Sequence, residues 1–171
     1  GKPSFPAYFS IGAQYGHPLI FLFMGGFIIA LSMERWGLHK RAAYRVLSVV
    51  GSKASRMVGG FMIASAALSM WVSNTATAVM MLPVALSVIA LDEEQQSGDF
   101  AIALLLGVAY GCSIGGVGTL IGTPPNLFLA SYARSELGVE IGFARWMTFG
   151  VPLVLCFLPI AWWLLTRILH P

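Results

Sequence analysis

The sequence predicts an all-α integral membrane protein that contains a re-entrant helical hairpin and a broken transmembrane helix. Three observations carry this: charge is scarce, the few charges cluster, and two apolar stretches are interrupted by polar or glycine-rich motifs. Of 171 residues, 57% are hydrophobic and 10% charged, with a mean hydropathy of +0.80. Soluble domains carry about 25% charged residues. So little charge cannot cover a water-soluble surface of this size, which excludes a soluble enzyme, a disordered chain and a nucleic-acid-binding module. The formal net charge of +3 matters less than its placement.

Apart from Lys2, the charges fall in 34–56, 92–99, 134–145 and at Arg167, leaving 3–33, 57–91, 100–133 and 146–166 uncharged. Each uncharged stretch is long enough to reach across ~30 Å of hydrocarbon. No basic-then-apolar leader opens the chain, and its abrupt ends read as a piece of a larger protein. Cys112 and Cys156 lie in apolar stretches without partner spacing and are expected to be buried free thiols, with no disulfide or metal motif.

The elements follow in order. Residues 1–33 form an interfacial approach rich in Pro and Gly and then one spanning helix over roughly 14–33. Residues 34–56 carry six Lys/Arg (35, 40, 41, 45, 53, 56) and one acid, with Leu38, Ala42, Val46, Val49 and Val50 at helical spacing between them. That pattern predicts an amphipathic helix on the membrane surface, its basic side toward lipid headgroups. A solvated basic loop is the alternative, and under either reading the positive-inside rule puts the segment in the cytoplasm.

Residues 57–91 are 35 uncharged residues, too many for one span and too few for two spans and a turn. Ser73-Asn74-Thr75 interrupts the two apolar arms, and both outer ends are charged, Arg56 on one side and Asp92-Glu93-Glu94 on the other. A hairpin that enters from the cytoplasm, turns near mid-membrane and returns satisfies this; a single tilted span with a polar kink is the alternative. Ser69, four residues before Ser73, is expected on the same helix face. Residues 92–99 form a cytoplasmic loop.

Residues 100–133 begin as an apolar helix and then meet Gly115-Gly116-Val117-Gly118-Thr119-Leu120-Ile121-Gly122-Thr123-Pro124-Pro125-Asn126. Prolines lack a donor and clash one turn back, so the helix must break. Thr123 stands at the N-cap position and Pro124 at the first helical position. A phosphate-binding loop is excluded because no Lys follows and no strand precedes. Residues 134–145 form an external loop, and 146–169 a last span that Arg167 closes on the inside.

Helix breaks at mid-membrane present N–H groups and partial positive charge at one end and carbonyl oxygens at the other. Those ends suit an anion and a hard cation such as Na⁺ respectively, a construction typical of secondary transporters. None of the four apolar stretches 3–33, 57–91, 100–133 and 146–166 contains Asp, Glu, Lys or Arg, which leaves no carboxylate for a proton relay. An intramembrane enzyme is equally disfavoured.

Leu68-Ser69-Met70-Trp71-Val72-Ser73-Asn74-Thr75-Ala76-Thr77, with Met80-Met81-Leu82-Pro83 after it, resembles the first Ser-Asn-Thr hairpin of the divalent anion:sodium symporter (DASS, INDY-like) family. These are carriers of dicarboxylates, citrate or sulfate. Gly115 to Asn126 resembles that family's break in the following helix. The resemblance implies one inverted-repeat half of a multi-pass transporter in the cell membrane, working by alternating access. It implies a sodium site of Ser69, Ser73, Asn74 and Gly122, and substrate contacts from Asn74, Thr75, Thr123 and Pro124. It further implies Na⁺ as coupling ion, no cofactor, a second repeat absent from this chain, a homodimer and a lipid environment. A non-transporting fragment, an exchanger without sodium coupling and a half-size carrier pairing with its own inverted copy stay open as alternatives. The lopsided Lys/Arg placement disfavours the last.

Overall fold

A computed structural model describes residues 53–91 and 98–169 continuously, and Phe21, Met24, Gly25, Ile28, Leu31, Ser32, Arg35, Trp36, Gly37, Arg41, Arg45 and Gly51 singly. The first predicted span, most of the basic amphipathic segment and the loop 92–97 therefore lie outside the described residues. The described residues form helices and no strand. We number the helices α1 (Ala54–Ser69), α2 (Asn74–Leu91), α3 (Gly98–Gly116), α4 (Pro124–Leu137) and α5 (Phe143–Leu164), the last running into a π-helical turn at Leu165–Leu169.

Helix α1 starts inside the predicted basic segment, so that Arg56 is helical. At 16 residues it falls short of the ~20 that cross a bilayer. Among the described residues two helices are long and apolar enough to cross, Gly98–Gly116 and Phe143–Leu169; the most apolar stretch of the first is 44% buried within the chain and that of the second 17%. Helix α3 is thus the centre of the bundle and α5 its periphery.

Glycines on α3 explain how it comes to the centre. Gly107, Gly111 and Gly115 recur every four residues and make one bare stripe down the helix. A Cβ on Gly107 would meet Val58 at 3.1 Å, one on Gly111 would meet the Met62 carbonyl at 2.7 Å, and one on Gly115 would overlap the Ala66 backbone. Small residues that let backbones approach are the usual basis of helix association in lipid, where hydrophobic burial gives no drive between helices. The order of these contacts shows that α1 and α3 run parallel, so α2 must run back between them. Its Met81, Val84 and Ala85 join Val58, Phe61, Met62, Leu104 and Val108 in one buried cluster.

Helix α5 runs antiparallel to α1. Near its start, Trp146 donates its indole N–H to the Val117 carbonyl at 2.8 Å; near its end, Trp162 donates to the Ser55 carbonyl at 2.7 Å. Its outer face leaves Leu155, Phe157, Ile160 and Trp163 exposed. Cys156 sits on that face, contrary to the expectation of two buried thiols, whereas Cys112 is buried on α3.

Helix α4 continues through Arg134 and Glu136 to Leu137, so the connection to α5 is shorter than the predicted loop 134–145. Gly138 ends α4 with φ 63°, a left-handed conformation that favours glycine, and the Val139 N–H just after it caps the Ala133 carbonyl at 3.0 Å. The charges at 134 and 136 mark the end of an apolar run; good helix formers carry the helix one turn past it.

Candidate functional site: two helix breaks held together

Two helix breaks bring the candidate residues together, at 70–73 between α1 and α2 and at 117–123 between α3 and α4. The first break is built by Ser73, the N-cap of α2. Its carbonyl accepts the Thr77 amide at 2.9 Å, and its hydroxyl accepts the Ala76 amide at 3.3 Å. The helix ends at Ser69, so Ser69 and Ser73 do not share one helix face as their spacing implied. The partner of Ser69 is Asn74: its fully buried hydroxyl donates to Asn74 Oδ1 at 2.6 Å. Among the described residues, no donor pairs with the Ser69 carbonyl and nothing accepts from the amides of Asn74 and Thr75. These are the carbonyl and amide ends of an open break.

The second break is partly closed by side chains from the helices that follow it. Asn126 Nδ2 donates to both the Gly116 and Thr119 carbonyls at 2.8 Å, and Trp146 covers the Val117 carbonyl. Thr123 stands at the N-cap of α4 in extended conformation (φ −149°, ψ 143°), with Pro124 and Pro125 in the first turn, as predicted. Its hydroxyl, however, makes no capping bond. The reason is local: the first two helical positions are prolines without N–H, and the Asn126 amide already donates to the Thr123 carbonyl at 3.1 Å. The α4 N-terminus therefore offers no free first-turn amide, and the half-buried Thr123 hydroxyl is left available.

The two breaks touch. A Cβ on Gly122 would lie 2.5 Å from the Gly116 carbonyl and 3.0 Å from the Ser69 carbonyl, and one on Gly116 would overlap Asn74 Oδ1. Only glycine allows these approaches. Of the candidate sodium ligands, Ser69, Asn74 and Gly122 thus cluster around Gly116, with Ser73 adjoining as the cap. Of the candidate substrate contacts, Asn74 belongs to that cluster; Thr75 and Pro124 are exposed, and no hydrogen bond ties Thr75, Thr123 or Pro124 side chains to it among the described residues. A groove of about 600 Å³ lined by Arg56, Gly59, Gly60, Leu155, Pro159 and Trp162 opens elsewhere, between α1 and α5, and none of the candidate residues lines it.

Sequence reasoning assigned no role to Asn126, Thr119 or Trp146, which hold this geometry. A polar residue directly after a Pro-Pro pair, and another between glycines in an apolar run, are the signals that could have pointed to Asn126 and Thr119.

Comparison with known proteins places this arrangement. The profile of the CitMHS citrate transporter family matches residues 5–171. The sodium-dependent dicarboxylate transporter SdcS of Staphylococcus saprophyticus is 47% identical over 160 residues, which is 89% of this chain and 31% of that protein. SdcS of Staphylococcus aureus strain USA300 is 42% identical over the same share of each chain. The chain therefore spans about a third of the length of the curated relatives it matches. These relatives are transporters rather than enzymes. The chain belongs to the citrate transporter family and is similar to its sodium-dependent dicarboxylate carriers, in line with the divalent anion:sodium symporter resemblance carried by the two breaks.

Proposed function

We propose that this chain is the first repeat of a sodium-coupled carrier for a divalent organic anion, a C4-dicarboxylate or citrate, in the cell membrane. Helices α1 and α2 form a re-entrant hairpin, and a second, inverted repeat completes the carrier, which works by alternating access as a homodimer. Ser69, Ser73, Asn74 and the Gly122 carbonyl hold Na⁺. Asn74, Thr75, Thr123 and Pro124 face one carboxylate of the anion. The observation that carries this reading is the open first break, with an unpaired Ser69 carbonyl beside Gly122 and unpaired Asn74 and Thr75 amides directly after it. Carbonyl and hydroxyl oxygens are hard neutral ligands suited to Na⁺, and helix-end amides suit a carboxylate. Binding the cation next to the anion also relieves the cost of placing two negative charges at membrane depth.

The test is uptake of radiolabelled succinate, citrate and sulfate by the full-length protein in proteoliposomes, with and without an inward sodium gradient. Succinate or citrate uptake driven by sodium is expected. Asn74→Ala should lower uptake and weaken the apparent sodium affinity together, because one side chain serves both sites. Uptake indifferent to sodium would make the protein an exchanger, and no uptake of any of the three would remove the transport reading.

A further inference from the structure

Thr119 sits in the middle of the second break, fully buried, and its single hydroxyl reaches both breaks. It donates to the Met70 carbonyl, just past the end of α1, and accepts the Gly122 amide at 3.1 Å. Its own carbonyl is held by Asn126 Nδ2 at 2.8 Å. A β-branched side chain has little χ1 freedom, so these bonds lock its rotamer. One oxygen atom therefore joins the residue after Ser69 to Gly122 itself, across a long stretch of sequence.

That bridge matters because of what lies on either side. Ser69 and Gly122 come close enough that a Cβ on Gly122 would stand 3.0 Å from the Ser69 carbonyl. The Ser69 carbonyl closes the last turn of α1 and Gly122 lies on unwound backbone, so no helical ladder fixes their separation. A cation site needs its oxygens at set distances, and loosening them by a fraction of an ångström weakens it.

We infer that Thr119 is a positioning residue of the cation site: its hydroxyl sets the gap between the end of α1 and Gly122, and so brings the oxygens of the two breaks into register. The inference rests on the sodium-coupled reading above. Thr119 itself touches neither ion nor anion in that reading. Its loss should act on sodium affinity first, and on the anion only through sodium.

The experiment uses the full-length protein in proteoliposomes and reads the sodium concentration for half-maximal succinate uptake, the succinate KM at saturating sodium, and the thermal midpoint. Thr119→Val keeps the volume and removes donor and acceptor. Its sodium half-saturation should rise at least about fivefold, the worth of one neutral hydrogen bond. Its succinate KM at saturating sodium should stay within about twofold of wild type, and Thr119→Ser should restore the sodium response. Where the valine variant does not accumulate, Thr119→Cys, similar in size but a weak hydrogen-bonding group, replaces it and should show the same shift. A wild-type sodium half-saturation in the Val or Cys variant would overturn the inference, as would equal loss of sodium and succinate affinity. A wild-type protein whose uptake ignores sodium would instead refute the sodium-coupled reading on which the inference stands.

Discussion

The two helix breaks meet the same difficulty, polar backbone inside an apolar bundle, and meet it in opposite ways. At 70–73 the amides of Asn74 and Thr75 and the Ser69 carbonyl stay open among the described residues. At 117–123 Asn126 and Trp146 take up the Gly116, Val117 and Thr119 carbonyls, and Pro124-Pro125 removes the first-turn donors altogether. Unwound backbone at membrane depth persists only where protein or a watery cavity satisfies it. At the second break protein takes up three carbonyls, those of Gly116, Val117 and Thr119; at the first the Ser69 carbonyl and the Asn74 and Thr75 amides have no partner among the described residues. In the sodium-coupled reading, the backbone amides for a carboxylate come from the start of α2, while the start of α4 offers one hydroxyl, that of Thr123. The macrodipole argument applies to both helices, but among the described residues only α2 keeps unpaired amides at its first helical positions, since α4 begins with two prolines and its Asn126 amide is taken by Thr123.

The largest effect should come from opening the closed break. Asn126→Leu keeps the apolar volume and leaves two buried carbonyls without donors. An unsatisfied buried group costs ~1–3 kcal/mol, so a loss of roughly 2–4 kcal/mol is expected. The full-length protein in detergent should show it as a clearly lowered thermal midpoint together with lost uptake. A variant as stable as wild type would mean that water satisfies Gly116 and Thr119 as well as Asn126 does, and the contrast between the breaks would fail.

Much of this was legible in the sequence. Ser73-Asn74-Thr75 and the Gly115–Asn126 run mark both interruptions to within a few residues, because caps, glycines and prolines act locally. Pro124 and Pro125 at the start of α4 follow from the same logic. What the sequence did not reveal are pairings between distant residues: Thr119 with Met70, Trp146 with Val117, and Gly116 and Gly122 against Asn74 and Ser69. Helical periodicity joined Ser69 to Ser73, but the helix stops between them, and the hydroxyl turns to Asn74 instead. The cap at Thr123 was right in position and wrong in hydrogen bonding, because a run of residue types places a cap but does not report which donor reaches it. The end of α4 was read from charge, although Arg and Glu are good helix formers and only Gly138 stops the helix.

A smaller effect separates the breaks from the other side. Ser73→Ala removes the hydroxyl that caps α2 through a 3.3 Å bond to the Ala76 amide. Lost caps cost ~0.5–2 kcal/mol, and a bond this long belongs at the lower end. The thermal midpoint should therefore fall much less than for Asn126→Leu. In the sodium-coupled reading the sodium half-saturation should rise nonetheless, since the same hydroxyl faces the cation. Equal destabilisation by the two variants would show that the first break is as self-supporting as the second.

The smallest stability effect is expected at Thr123, and there it is most informative. Its hydroxyl caps nothing, so Thr123→Val removes no hydrogen bond from the folded chain and should leave the thermal midpoint near wild type. Had the hydroxyl been a cap, the same change would cost ~0.5–2 kcal/mol. Binding should behave differently. If the hydroxyl donates to a carboxylate, its removal costs ~1.5–3 kcal/mol, more than tenfold in affinity. Thr123→Ser keeps the donor and should bind near normally, with any change in substrate preference coming from the missing methyl. The measurement is succinate affinity of both purified full-length variants beside their thermal midpoints. Weak binding with an unchanged midpoint in Val, and normal binding in Ser, assigns the second break one polar contact with the anion. If Val binds as tightly as wild type, the carboxylate is held by the Asn74 and Thr75 amides alone, and the second break serves only to hold Gly122 against the first.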